Sequence, residues 1–338
     1  RLLNAAKVAK KNRVNIAKLT PADTVGDELT GGYIIKVDKL TGSSDTYWTS
    51  VMNPNVKYLY HDPQDNELSQ TQLDYIENYV TNFENVMNSV GFANQLTGYP
   101  SLIEVNSFVD FMIMQELGRT VDGYRSSSFM YKQQDSKGGL LHAGPMWDFN
   151  LSYGNADYCD AFETTGYQFN FNSVCPAFTS YIPFFWERFL DDTSFTAKLQ
   201  CRWQQLRADM LDEDSINLRI DNIASKLNES KDRNFLRWPI LGVYVNWNYF
   251  VGNTYQEETD YLKGWFQTRM TWLDNNWPGT CDNVFIGTEV IENMPPHQVY
   301  PNPASDYFFI SVHESLQVKD ANFILYDAAG RIVLEQQS

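Results

Sequence analysis

Residues Gly144–Asn155 read GPMWDFNLSYGN, a stretch that sets the carboxylate of Asp148 and the amide of Asn150 two positions apart, beside aromatic rings and a glycine turn. In a strand or extended loop, side chains two positions apart project to the same side, so both oxygens are expected to reach one hard cation. A cation held that way suits a phosphate ligand. An isolated loop Asp more commonly caps a turn, so the flanking sequence has to decide. Upstream, residues 104–132 read EVNSFVDFMIMQELGRTVDGYRSSSFMYK. There an apolar helical pattern from Phe108 to Leu117 runs out into Asp122-Gly123-Tyr124-Arg125, followed by a β-prone run from Phe129 to Lys132.

Together, and in this order, the two segments resemble the CotH family, the spore-coat-protein-H-like atypical protein kinases. The resemblance begins at Arg13-Val14-Asn15-Ile16-Ala17-Lys18-Leu19 and Gly31-Gly32-Tyr33-Ile34-Ile35-Lys36-Val37-Asp38 and continues to about Trp277. It implies phosphoryl transfer from ATP, with Mg²⁺ or Mn²⁺, to a hydroxyl of a secreted or surface protein. It also makes Asp148 the metal-coordinating Asp, analogous to the Asp of the DFG motif in ordinary kinases. Asn150 stands where a second Asp is often seen; its amide oxygen can contact metal or nucleotide but adds no charge. Asp122 is then the catalytic group that orients the acceptor hydroxyl and takes its proton. A carboxylate near a helix C-terminus is electrostatically disfavoured, which agrees with a use other than stability. Arg125 is a candidate nucleotide-binding residue that pairs with phosphate, or else an anchor for Asp122, the commoner use of a buried pair. Ser126, Ser127 and Ser128 read first as turn residues, although one of them can make the contact that an Asn makes after the kinase catalytic Asp. In the family, a lobe that covers the nucleotide's phosphates precedes the Arg13 segment. With no such lobe ahead of that segment here, metal binding is expected of this stretch by itself, and phosphoryl transfer is expected when that lobe is supplied.

The 338 residues suffice for one large domain plus a small one, and 9 Trp, 20 Tyr and 21 Phe make it a folding sequence rather than a disordered one. A net charge of −16 excludes the basic faces that nucleic acid and anionic lipid require, while leaving an acidic surface for basic polypeptide or metal. No apolar run approaches the roughly 20 residues of a membrane span. Cys159, Cys175, Cys201 and Cys281 form no CxxC pair, so zinc ligation is not indicated. Spacing leaves two readings open: a Cys159–Cys175 disulfide closing an aromatic loop, or four buried thiols.

Along the chain, residues 1–12 read as a basic connector, residues 31–38 and 58–60 as strands, and residues 68–90 and 106–119 as helices. Further helices are expected from Phe184 to Leu190, Phe195 to Met210, Ile216 to Asn228 and Glu257 to Asn275, with a helical segment broken at Pro239. Lys36 and Asp38 share a strand face but read as a charged stop, outside the site. His61, His297 and His313 show no partner pattern, and His142 reads as a packing residue. Cys281 to Glu292 is β-like, and Pro295-Pro296 is a stiff link. Tyr300-Pro301-Asn302-Pro303-Ala304 and the later ILYDAAGRIVLE, with Asp327 and Gly330 between alternating runs, resemble the C-terminal sorting domain of type IX secretion in Bacteroidetes. That resemblance implies the type IX machinery as a partner, a secreted or cell-surface location, and a tail whose last strands are missing.

The expected fold is α+β: a kinase-like, mainly helical C-lobe with a few strands over residues 1–280, a linker over 281–298, and a small partial β-sandwich-like tail over 299–338. Two other functions compete with phosphoryl transfer. One is a non-catalytic surface module that binds glycan or protein through exposed aromatics. The other, ranked last, is a glycoside hydrolase, for which no particular carboxylate pair stands out.

Overall fold

Alternation in Tyr33-Ile34-Ile35-Lys36-Val37 creates a strand with two different faces, and this strand sits at the centre of the sheet. The computed structural model describes residues 16–42 and 45–281, and beyond them the backbone of four short strands. The chain divides into two compact units, Arg1–Ile286 and Gly287–Ser338.

In the first unit, β1 (Tyr33–Val37), β2 (Tyr47–Thr49), β3 (Lys57–Asp62), β4 (Ser128–Lys132) and β5 (Leu141–Ala143) form one antiparallel sheet in the order β2-β3-β1-β4-β5. Tyr33, Ile35 and Val37 enter the main core together with Tyr58 and Met130. Ile34 lies on the opposite face, packed with Ile16, Phe129 and Tyr131. Lys36 pairs in register with Phe129 on β4, so it shares that second face.

The longer helices are α1 (Gln70–Met87), α2 (Val105–Gly118), α3 (Thr193–Arg207), α4 (Glu213–Lys226), α5 (Asn228–Arg237) and α6 (Tyr255–Asn276). Ser69 and Gln72 form a capping box at the start of α1, which buries Ile76, Val80, Phe83 and Met87 along one stripe. Helix α2 is buried on nearly every side, as its near-continuous apolar sequence predicts, and the Glu104 carboxylate caps it by accepting from Asn106 N and Ser107 N. Phe108 and Phe111 of α2 pack with Phe83, Tyr124, Trp186 and Phe189, and Phe185 joins them through Phe83, Trp186 and Phe189. This cluster ties the helices to the turn that follows α2. Helix α5 stops ahead of Pro239, where the ring removes a donor. The helix expected from Phe184 to Leu190 is a single turn, Phe185–Arg188, continued by a tighter one, Phe189–Asp191.

All four cysteines are paired: Cys159 with Cys175, their Cα atoms 5.5 Å apart, and Cys201 with Cys281, at 4.7 Å. The four-thiol reading is thereby excluded. At Gly154 the backbone is left-handed (φ 77°), and an added Cβ would lie 2.3 Å from Trp265 Cδ1. Gly154→Ala is therefore expected to destabilise the fold by about 1–3 kcal/mol, read as a lower urea midpoint.

In the second unit, β6 (Gln298–Tyr300) pairs with β7 (Phe309–Ser311) and β8 (Asn322–Tyr326) with β9 (Ile332–Gln337), both antiparallel. The β8–β9 pairing agrees with the hairpin expected from alternation. Its turn at Asp327 and Gly330 lies outside the described residues, as do the connector, the Arg13-Val14-Asn15 segment, residues 282–292, the Pro295-Pro296 link and residues 301–304. Among the described residues, no helix is long and apolar enough to cross a membrane.

Candidate functional site

After α2 the chain cannot continue as helix, because Arg119 takes a left-handed conformation (φ 40°). A run of tight turns follows, with Gly123 N donating to Thr120 O at 2.7 Å and Ser126 N to Asp122 O at 2.9 Å. Gly123 is required here by space, since a Cβ would lie 2.6 Å from Gln115 Oε1 and 2.8 Å from Thr120 O. Asp122 therefore sits in the turn beyond the helix rather than on its last turn. The second segment is laced to the first: Tyr153 N donates to Gly118 O at 2.7 Å, Ser152 Oγ to Thr120 Oγ1 at 2.9 Å, and Ser127 Oγ to Asp148 Oδ2 at 3.3 Å.

Asp122 and Asp148 line the same cavity, of about 310 Å³. Ser126, Ser127, Pro145 and Trp147 complete that side of it. The opposing wall is the second face of the sheet, with Ile34, Lys36, His61 and Phe129, extended by Asp38, Lys39 and Thr41. Lys36 Nζ contacts Asp38 Oδ2 at 2.7 Å, which holds the ammonium at the cavity wall. His61 packs edge-on against Phe129, and burial, reinforced by the Lys36 charge, pulls it down to about 4, so it is neutral at pH 7.

Two residues read as site members from sequence do not line this cavity. Asn150 is exposed, and its carbonyl accepts from Asn155 Nδ2 at 2.8 Å. The expectation that it faces the same way as Asp148 assumed an extended backbone, whereas Asp148 is left-handed (φ 66°) and turns the chain. Arg125 lies behind Asp122, with its side chain only 4% exposed; Nη2 contacts Asp122 Oδ1 at 2.7 Å and Nε donates to Val121 O at 3.0 Å. Burial lowers its pKa, opposed by the Asp122 charge. Its guanidinium is directed at Asp122 and the Val121 carbonyl, and it is not among the residues lining the cavity. In the other direction, Lys36, Asp38 and His61 belong to the cavity although the sequence reading left them out. The period-two placement of Ile34, Lys36 and Asp38 was the available signal.

Compared with known families, residues 9–273 match the family described as CotH kinase protein, far more than half of the chain. The chain belongs to the CotH kinase family. The CotH match contains β1, both acidic turns and most of α6, so all of the cavity lies within it. Residues 298–338 match the secretion system C-terminal sorting domain, which indicates that this CotH chain is exported or displayed at the cell surface. Disulfide bonding fits that compartment. Among curated proteins, none matches this CotH chain.

Proposed function

We propose that this chain transfers the γ-phosphoryl group of ATP to a hydroxyl of a secreted or surface protein, with Mg²⁺ or Mn²⁺. The observation that carries the reading is one cavity lined by three aspartates and two lysines: Asp122 and Asp148 from the turns, and Lys36, Asp38 and Lys39 from the sheet side. On this reading the helical part of the first unit corresponds to a kinase C-lobe, and the tail to a partial β-sandwich.

The donor set fits a cation that arrives with its nucleotide. Among the described residues no group of three or more His, Cys, Asp or Glu is gathered for a metal. Mg²⁺ does not demand one, because it is commonly held by one or two carboxylates plus substrate phosphates and water. Asp148 meets that description: it is exposed and, among the described residues, forms no ion pair. Asp148 would hold the ion, with Ser127 steadying the carboxylate. When bound, the ion neutralises charge on the β- and γ-phosphate oxygens.

Lys36, steadied by Asp38, and Lys39 attract the phosphates from the sheet side. Asp122, held by Arg125, accepts the proton of the acceptor hydroxyl as that oxygen bonds to the γ-phosphorus. The bond from phosphorus to the β–γ bridging oxygen breaks, and ADP leaves with the electron pair. Ile34, Phe129 and Trp147 limit water on the apolar part of the wall.

Calorimetry of Mg²⁺–ATP binding beside Asp148→Ala tests the site. The variant is expected to bind about 10–100-fold more weakly, at least the loss seen when a metal's outer partners are removed. Equal heats from both proteins would overturn the assignment.

A second reading is favoured by one observation. Trp238, Tyr244, Trp247 and Tyr249 are each about half exposed on the segment after α5. Such rings suit a non-catalytic module that stacks on glycans or peptides. Retardation in a polysaccharide gel, lost in Trp247→Ala, would support it; unchanged mobility across several polymers would remove it.

A further inference from the structure

We infer that the Cys159–Cys175 disulfide is a positioning brace for Asp122, acting through the aromatic seat of Arg125; this rests on the role given to Asp122 above. Arg125 grips Asp122 from two sides of the turn, through its carboxylate at 2.7 Å and through the preceding carbonyl of Val121 at 3.0 Å. Whatever orients this guanidinium orients the carboxylate.

Its seat is the disulfide loop. The guanidinium carbon lies 4.1 Å from the centre of the Phe171 ring and 5.0 Å from that of Phe178, and Ser180 Oγ donates to Arg125 O at 2.8 Å. Phe171 and Cys175 belong to one helical turn, closed by Cys175 N donating to Phe171 O at 2.8 Å, and Phe178 N donates to Cys175 O at 3.2 Å. On the other side of the crosslink, Tyr158 directly precedes Cys159 and stacks on Phe178, with centroids 5.9 Å apart. The disulfide therefore joins the two strands of chain that hold the ring in place.

Apart from the crosslink and Tyr158, the ring rests on Phe171, which it meets edge-on with centroids 5.6 Å apart. Residues 173, 174 and 176–179 are exposed, so the chain around Phe178 is held by these ring contacts and the crosslink more than by burial. Cys159 and Asp160 are both left-handed (φ 53° and 54°), a conformation that two successive non-glycine residues keep only when their surroundings hold them. With the crosslink open, this corner can relax and the Phe178 ring loses its fixed place beside Arg125. The geometry around Asp122 is then complete only in the oxidised chain, the state that export favours. The Cys201–Cys281 bond joins other parts of the chain and makes none of these contacts.

The test compares Cys159→Ser/Cys175→Ser, Phe178→Leu and Phe178→Tyr with the natural chain. Phe178→Leu keeps the crosslink and most of the bulk but removes the ring that faces the cation. Amide hydrogen exchange over residues 121–126 is expected to quicken about tenfold or more in the double serine variant and in Phe178→Leu, with Phe178→Tyr restoring protection. In transfer assays kcat is expected to fall about 10–100-fold in the same two variants while KM for ATP stays within about twofold. Unchanged exchange in both variants overturns the brace, as does a loss confined to KM. Absence of nucleotide heat in the natural chain removes the phosphotransfer reading instead, and the exchange measurement still decides the brace.

Discussion

Asp122→Asn is expected to lower phosphoryl transfer by about 10²–10⁴-fold, the range supplied by a positioned general base, while the Mg²⁺–ATP binding heat stays near that of the natural chain. The amide is nearly the same size, and its oxygen can still accept from Arg125 Nη2, now at 2.7 Å from Asp122 Oδ1. What it loses is the negative charge and the ability to take a proton. Binding is spared because Asp148 has its own support from Ser127 and Lys36 has its own partner in Asp38. Arg125 complicates the reading, since its buried charge would lose its carboxylate partner. A thermal midpoint measured beside the rate separates the two effects: a stable protein with a normal binding heat and a collapsed kcat assigns the loss to chemistry. A rate that survives the change would end the role given to Asp122.

Arg269→Ala is expected to cost about 3–5 kcal/mol of folding stability, the range for breaking a buried ion pair by removing one partner. Arg269 and Glu116 are both fully buried, with Nη2 3.3 Å from Glu116 Oε2. The guanidinium also donates to Glu116 O at 2.8 and 2.6 Å, to Thr164 O at 3.0 Å and to Gly166 O at 2.7 Å. Burial pulls Arg269 down to about 10, so it remains charged at neutral pH. Burial pushes Glu116 up, but the donors that converge on its carboxylate, including Tyr124 OH at 2.9 Å and Gln168 N at 2.7 Å, favour the ionised form. Alanine would leave that carboxylate without its buried counter-charge and take the Arg269 donor from the carbonyls of Thr164 and Gly166 in the interior. Because Glu116 lies in the last turn of α2, ahead of Asp122, the damage is expected to reach the site as well. Denaturant unfolding measures the first effect, and a change below about 1 kcal/mol would show that the cluster relaxes or admits water.

The elements that were readable from the chain's letters share one property: their signals are local. The stripe from Leu73 to Met87 and the apolar run of α2 give helices within a few residues of those expected, and Pro239 ends α5 through its own ring. Asp122 was readable because it follows a helix of clear period, and Asp148 because the ordered segments carried the family resemblance. The Cys159–Cys175 bond was one of two open readings. Cys201–Cys281 was not indicated, since its partners are 80 residues apart on either side of three helices.

The cavity wall was harder to read. Nothing local tells a lysine at the end of a strand that its neighbours across β1 and β3 or β4 enclose a pocket, and so Lys36, Asp38 and His61 were passed over. Asn150 failed for the opposite reason, because a single left-handed residue at Asp148 undid the same-side rule. From residue order alone come the longer helices, the β1 segment and the turn that carries Asp122, since period and turn chemistry act within a few residues, while Asp148 and the export tail came through family resemblance. Folding in three dimensions selected which charges meet, because strand register, backbone handedness and crosslinks bring residues 36, 61, 122 and 148 around one space and set Arg125 behind it.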